Sequence, residues 1–406
     1  QALSYNIPMR WTAAHLYQAV LDGEAHVPEI AHVTTLAGYV HWRLTGRQVV
    51  GVGEASGIFP IDASTGDYDS SLLAILDERL STHASDLPSA RDLFPASLPA
   101  GADAGQLTAD GAALLDPTGT LTAGISLCPP EGDAGTGMVA TNAIAPRTGN
   151  VSVGTSIFAM IVLEKPLEQL HHEIDLVTTP VGDLVAMVHC NNGASELGEW
   201  ADVFHTFAGA IGHGATRDEV FATLLAQAIE GQADAGGLLA YNYLAGEPIT
   251  GLEEGRPLFV RTPDSAFNLA NFMRAQVYGA FGTLSLGMRI LDAEGVGVDA
   301  LLAHGGLFRT AGVAQRLLAA AVGAPVAVGA TASEGGAWGI AVLAAYSTAV
   351  RTQPDLTLAA YLNETVFASA ETVVVEPDPD DMIGYARFLE AYETGLAIER
   401  AAITAL

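Results

Sequence analysis

The residues best suited to chemistry lie in one stretch, EGDAGTGMVATNAIAPRTGNVSVGTS, from Glu131 to Ser156. Asp133 stands there between glycines, which let a ligand approach the backbone closely and permit turns of positive φ. A carboxylate held in that way can accept the proton of an attacking hydroxyl. Asp is also an ordinary structural choice in a glycine-rich turn, and the residue types leave both readings open. Further on, Gly154, Thr155 and Ser156 fall between two apolar β-type segments. Backbone N–H groups and two hydroxyls there could wrap a phosphate, or simply close a hairpin. The turn is not a Walker A loop, because no Gly-Lys-Ser/Thr follows a GxxxxG run.

A second group lies toward the C-terminus. In HGGLF (304–308), Gly305 and Gly306 end an apolar strand ahead of a helix. α/β proteins bind ligands at the C-terminal ends of parallel strands, so this pair could admit a flat base or a ribose. A plain strand-to-helix turn is the alternative, and His304 is read as a packing histidine. In SEGGAWGIAVLAA (333–345), small residues allow close packing of a helix. Ala337 and Gly339 are read as structural, whereas Glu334, Gly335 and Gly336 could face a nucleotide. No zinc-ligand spacing occurs, and no GxSxG elbow supports a hydrolase triad.

These residues need elements to hold them. The pattern predicts a helix in WTAAHLYQAVLDG and another through VPEIAHVTTLAGYVHWRLTG, closed by Gly46. SSLLAILDERL predicts a short helix, GISLCPP (124–130) a strand stopped by proline, and GDAGTG a turn before a small-residue helix. From Asn150 the segments NVSVGTSIFAMIVLE and DLVAMVHC read as strands, with a turn at Gly154–Ser156. Helices follow in TRDEVFATLLAQAIEG and AFNLANFMRAQVYGAFGTLSLGMRILDAEG. In the second, Leu269, Met273, Ala280, Leu284, Met288 and Leu291 recur at helical spacing and predict one buried stripe. VDALLAHGG, AGVAQRLLAAAVG, PVAVGA and EGGAWGIAVLAAYSTAV alternate strand and helix, which predicts parallel strands joined by crossover helices. An acidic tail leads to a final helix from about Ile383.

Bulk properties narrow the class. A chain of 406 residues, half of them hydrophobic, predicts two domains and sizeable cores. The formal net charge is −29, with Lys165 the single lysine. Such a surface repels nucleic acid and anionic membranes. It does not exclude a nucleotide, whose phosphates can be held by backbone N–H groups and a metal ion. Cys128 and Cys190 form no CxxC pair, which suits a reducing, cytoplasmic setting. The apolar run GGAWGIAVLAAYSTAV is shorter than the roughly 20 residues of a membrane span, and no signal peptide is visible. The sequence opens QALSYNIPMRW without an initiator Met, so an N-terminal portion is expected to be missing from it.

The order of these motifs is more specific than any one of them. GDAGTG, then VSVGTS, then YNYLAGEPITGLEEGRPLFV, a long helix, HGGLF and EGGAWGIAVLAA together resemble the FGGY family of carbohydrate kinases. PEIAHVTTLAGYVHWRLTG resembles that family's early helix. The resemblance spans nearly the whole chain. It implies an α/β fold of two actin-like (ribonuclease H-like) domains around a cleft. Residues 1–148 would be the remainder of the sugar-binding domain, and 149–406 the nucleotide-binding domain with its C-terminal helix. It implies that Asp133 is the catalytic base and touches the sugar. Gly154, Thr155 and Ser156 would surround the β- and γ-phosphates. Gly305 and Gly306 would contact adenosine, and Glu334, Gly335 and Gly336 would lie near the nucleotide. ATP and Mg²⁺ would be the cofactors, and a homodimer is a family-level expectation. The family's chains begin with a strand and a D-x-G-T-T/S phosphate loop that this sequence does not contain, so the first domain is expected to be incomplete. EGDAGTG also departs from the Gly/Asn/Gln-rich surroundings that many members have at the acid.

The implied activity is transfer of the ATP γ-phosphate to a ketopentose hydroxyl. D-Xylulose and L-ribulose lead, because RWTAAHLYQAVLDG and GVGEASGIFPID look more like ketopentose kinases than glycerol kinases. A non-catalytic nucleotide-binding or regulatory protein on the same fold is the alternative, since fold does not fix function. An actin- or chaperone-like ATPase is disfavoured by GDAGTG and by the lack of a peptide-binding domain.

Overall fold

The computed structural model describes residues 5–309, 312–329 and 335–406. It is a mixed α/β structure that divides into two compact units. Unit 1 holds Gln1–Pro146, Val162–Ala186 and Glu334–Ala370, and unit 2 holds Arg147–Ile161, Met187–Ser333 and Glu371–Leu406.

Unit 1 opens with helices Thr12–Leu21 and Leu36–Thr45. Thr35 caps the second by accepting the Gly38 amide, and Gly46 closes it in the left-handed region, as expected. This helix starts later than its sequence pattern predicted, because Val27–Glu29, with Pro28 in it, forms a separate 3-10 turn. Helix Ser70–His83 begins at Asp69, whose carboxylate accepts the Ser71 and Leu72 amides. Leu16, Val20, Ile58, Phe59, Leu76 and Leu93 meet in one buried cluster beneath these helices. Each such side chain contributes roughly 1.5–3 kcal/mol on burial.

The segment 124–130, expected as a strand, is not one. Ser126 makes a single bridge to Gln106. Pro129 and Pro130 have no N–H to extend a ladder, and the Pro130 carbonyl instead accepts the Gly51 amide at 2.7 Å.

In unit 2, strands β1 (Thr148–Val153), β2 (Ile157–Val162), β3 (Ala300–His304), β4 (Val326–Gly329) and β5 (Thr372–Val375) pair in the order β5-β4-β3-β1-β2. β3 runs parallel to β1 and β4, as the strand-helix alternation predicted. β1 and β2 form an antiparallel hairpin, and β5 is antiparallel to β4. Helix Val313–Val322 makes the crossover from β3 to β4.

Helix Leu269–Ala293 departs from its expected single stripe. Met273, Ala280, Leu284, Met288 and Leu291 are buried, but so is every residue from Asn271 to Ser285, and Leu269 is 41% exposed. The helix is enclosed by neighbours, so its polar side chains need partners. Arg274 donates to the Ala228 carbonyl and pairs with Asp381 at 3.0 Å. Asp381 also accepts from Arg316 at 2.6 Å. It lies on the C-terminal helix Pro379–Ala405, which begins earlier than Ile383 because Asp378 caps it and Pro379 fits its first turn.

Candidate functional site

Asp133 is the first residue of helix Asp133–Ala140 in unit 1. GDAGTG is therefore not a turn of positive φ, contrary to expectation. Gly132 is the N-cap at φ −77°, and Gly135 and Gly137 lie inside the helix. So glycine-rich a helix has little intrinsic propensity, and packing supplies the difference. Helix Gly335–Ala349 lies against it, with Gly339 directly over the Thr136 carbonyl. Gly339 is thus structural, as read from the sequence. Gly335 and Gly336 open this same helix, so unit 1 brings them to the Asp133 helix. A Cβ at Gly336 would stand 3.5 Å from the Thr136 hydroxyl oxygen. Glu334 lies outside the described residues. The Asp133 side chain is exposed.

Two further carboxyls stand beside it. Glu131 is buried and accepts the amides of Gly53 at 3.1 Å and Glu54 at 2.7 Å. Burial pushes its carboxyl up to about 8, against the pull of those two amides. Glu54 is also raised, first by burial, with nearby Thr35 and Gly132 pulling the other way and the Asp133 charge adding to the rise.

In unit 2, Gly154, Thr155 and Ser156 form the β1–β2 turn, as expected. Gly154 and Thr155 are exposed and Ser156 is half-buried. The turn is tied back through its carbonyls. Gly193 donates to Thr155 at 2.6 Å, and Ala194 to Gly154 at 2.8 Å. That second loop follows strand Leu184–Cys190 and is held in turn by Asn242, whose Nδ2 donates to the Asn192 and Gly193 carbonyls. Asn192 donates from its amide and its Nδ2 to Glu247. Glu247 is fully buried, and burial pushes its carboxyl up to about 7.

Gly305 joins this group. Its φ is +113°, and a Cβ there would overlap the Val153 carbonyl at the end of β1, so only glycine fits. Gly306 is exposed, with open space around its Cβ position. Unit 2 therefore gathers Gly154–Ser156 and Gly305, at the ends of neighbouring strands. Sequence reasoning missed Glu54, Glu131, Asn192, Asn242 and Glu247. An Asn-Asn-Gly run after a strand is a turn signal for the loop at 191–193; the others carry no local signal. Among the described residues, no group of three or more His, Cys, Asp or Glu could hold a metal ion, and no helix is long and apolar enough to cross a membrane.

Residues 149–348 match the C-terminal domain of the FGGY family of carbohydrate kinases, and this match supports a sugar kinase. Similar solved structures include a xylulose kinase from Rhodospirillum rubrum, 21% identical with TM-score 0.73, covering 98% of this chain and 73% of that one. A gluconate kinase from Lactobacillus acidophilus is 17% identical with TM-score 0.76, covering 98% and 74%. A glycerol kinase from Plasmodium falciparum is 13% identical with TM-score 0.67, covering 97% and 74%. At these identities the structures speak for the fold. No curated protein matches the chain by sequence.

Proposed function

We propose that the chain transfers the γ-phosphate of Mg-ATP to a hydroxyl of a ketopentose, D-xylulose or L-ribulose, with Asp133 as the general base. The carrying observation is the exposed Asp133 carboxylate at the head of its helix. Asp133 takes the proton of the sugar hydroxyl, the freed oxygen bonds to the γ-phosphorus, and the bond from that phosphorus to ADP breaks. Phosphoryl transfer needs positioning and charge stabilisation more than covalent help. Gly154, Thr155 and Ser156 would hold the phosphates, Gly305 and Gly306 the adenosine, and Glu334, Gly335 and Gly336 the neighbouring nucleotide atoms. Mg²⁺ would arrive with ATP, and hard hydroxyl oxygens such as those of Thr155 and Ser156 suit it. Sugar binding would belong to residues 1–148 and nucleotide binding to 149–406. The free Cys128 and Cys190 fit a reducing compartment such as the cytoplasm. The similar xylulose kinases favour the ketopentose over glycerol.

A coupled ADP-release assay tests this, with Mg-ATP, full-length protein and D-xylulose, L-ribulose, D-ribulose, ribitol or glycerol. Turnover raised well above the sugar-free baseline by D-xylulose or L-ribulose is expected. ATP binding with no sugar-dependent release would overturn the reading and favour a nucleotide-binding regulator.

A further inference from the structure

Two carboxyl groups in unit 1, 77 positions apart in the chain, each lie against the head of the other's helix. Glu131 stands two residues before Asp133 and accepts the Gly53 and Glu54 amides. Those amides open helix Val52–Ser56, whose N-cap, Gly51, has no side chain to satisfy them. Glu54 returns the contact. Its carboxyl packs against Gly132, the N-cap of the Asp133 helix. The fit leaves no spare room: a Cβ at Gly51 would overlap the Glu131 carboxyl, and one at Gly132 would overlap that of Glu54.

A buried carboxyl with no basic partner in contact is costly, because its charged form loses hydration. Glu131 accepts two backbone amides and no arginine or lysine. An apolar residue of similar size would fill the same space without that cost, but could not reach across to the other helix head. We propose that Glu131 and Glu54 are positioning residues for phosphoryl transfer: their reciprocal clasp sets the direction in which Asp133 presents its carboxylate. The proposal rests on the reading of Asp133 as the base. The clasp grips the chain on the N-terminal side of Asp133, and the packing of Gly339 on Thr136 grips it on the C-terminal side. Losing the first grip lets the helix head rotate, and a misplacement of about 1 Å costs on the order of a hundred-fold in rate.

The test compares wild type, Glu131→Gln, Gly132→Ala and Asp133→Ala in the full-length protein. Glu131→Gln is expected to lower kcat by about ten-fold or more, with the KM for ATP within about two-fold of wild type and the melting midpoint unchanged or raised. Gly132→Ala is expected to reproduce the kcat loss without altering any charge, by displacing Glu54. Amide exchange at Gly53 and Glu54 should accelerate in Glu131→Gln. That readout does not depend on turnover, so unchanged exchange there would overturn the clasp directly. An inactive Asp133→Ala beside normal kcat in Glu131→Gln and Gly132→Ala would overturn the positioning role and leave the base in place. Normal turnover in Asp133→Ala would sink the reading of the base, and the positioning role with it.

Discussion

Gly339 lies so close to the Thr136 carbonyl that no Cβ fits between the helices Gly335–Ala349 and Asp133–Ala140. The two backbones meet directly, and each helix begins with residues proposed to act on a substrate. Gly339→Ala should force them apart, at a cost of roughly 1–3 kcal/mol, and lower kcat with the displaced Asp133. Gly336→Ala is the control, since its Cβ would make only an ordinary 3.5 Å contact. Urea unfolding of both variants reads the difference. Equal midpoints would show that the helices do not depend on this approach.

Asp133→Asn keeps the size and removes the base. It should cut sugar phosphorylation by about 10²–10⁴-fold, the usual worth of a general base. ATP affinity by calorimetry should stay within about two-fold, because a base that acts only on the sugar hydroxyl adds nothing to nucleotide binding.

Gly305 combines a φ of +113° with contact against the end of β1. Gly305→Ala strains the backbone by roughly 1–3 kcal/mol and presses on the residue just before the Gly154–Ser156 turn. Weaker ATP binding with little change in the KM for sugar is the expected result. Equilibrium titration with a fluorescent ATP analogue would show it, and unaltered affinity would separate Gly305 from the nucleotide.

Glu247 makes stability depend on pH. Its carboxyl titrates at about 7 in the fold, against an ordinary value of 4.5. Below 4.5 both folded and unfolded chains keep the proton. Between 4.5 and 7 the unfolded chain releases it first, so stability falls as pH rises through that window. The loss is roughly 3 kcal/mol and levels off above it. Glu131 acts in the same direction up to about 8. Glu247→Gln should therefore shrink the difference between urea midpoints at pH 5 and pH 8. An unchanged difference would mean that Glu247 does not carry the effect.

Much of the fold was legible because it is written in local patterns. The cap at Gly46, the β1–β2 turn at Gly154–Ser156, and the parallel pairing of β3 with β4 follow from residue type and period. Where local patterns misled, tertiary contacts had overridden them. GDAGTG reads as a turn because three glycines disfavour a helix, yet Gly339 needs those small residues to pack upon it. GISLCPP reads as a strand from its apolar residues, but prolines leave it no ladder to join. The stripe on Leu269–Ala293 reads as one face because the periodicity of a helix cannot report that neighbours enclose it all round.

The sequence by itself determined the order of the motifs, and with it the resemblance to a family, since each motif's chemistry is carried by adjacent residues. It also determined Asp133 and the Thr155 and Ser156 hydroxyls as the groups worth examining. Only the tertiary structure decided what holds them. Glu54 reaches the head of the Asp133 helix, and Glu131 reaches back across 77 positions. Glu247 steadies the loop behind Thr155 across 55 positions, through Asn192. The reason is physical. A buried carboxyl is tolerated where folding brings hydrogen-bond donors to it, and no local run of residues records which distant donors those will be.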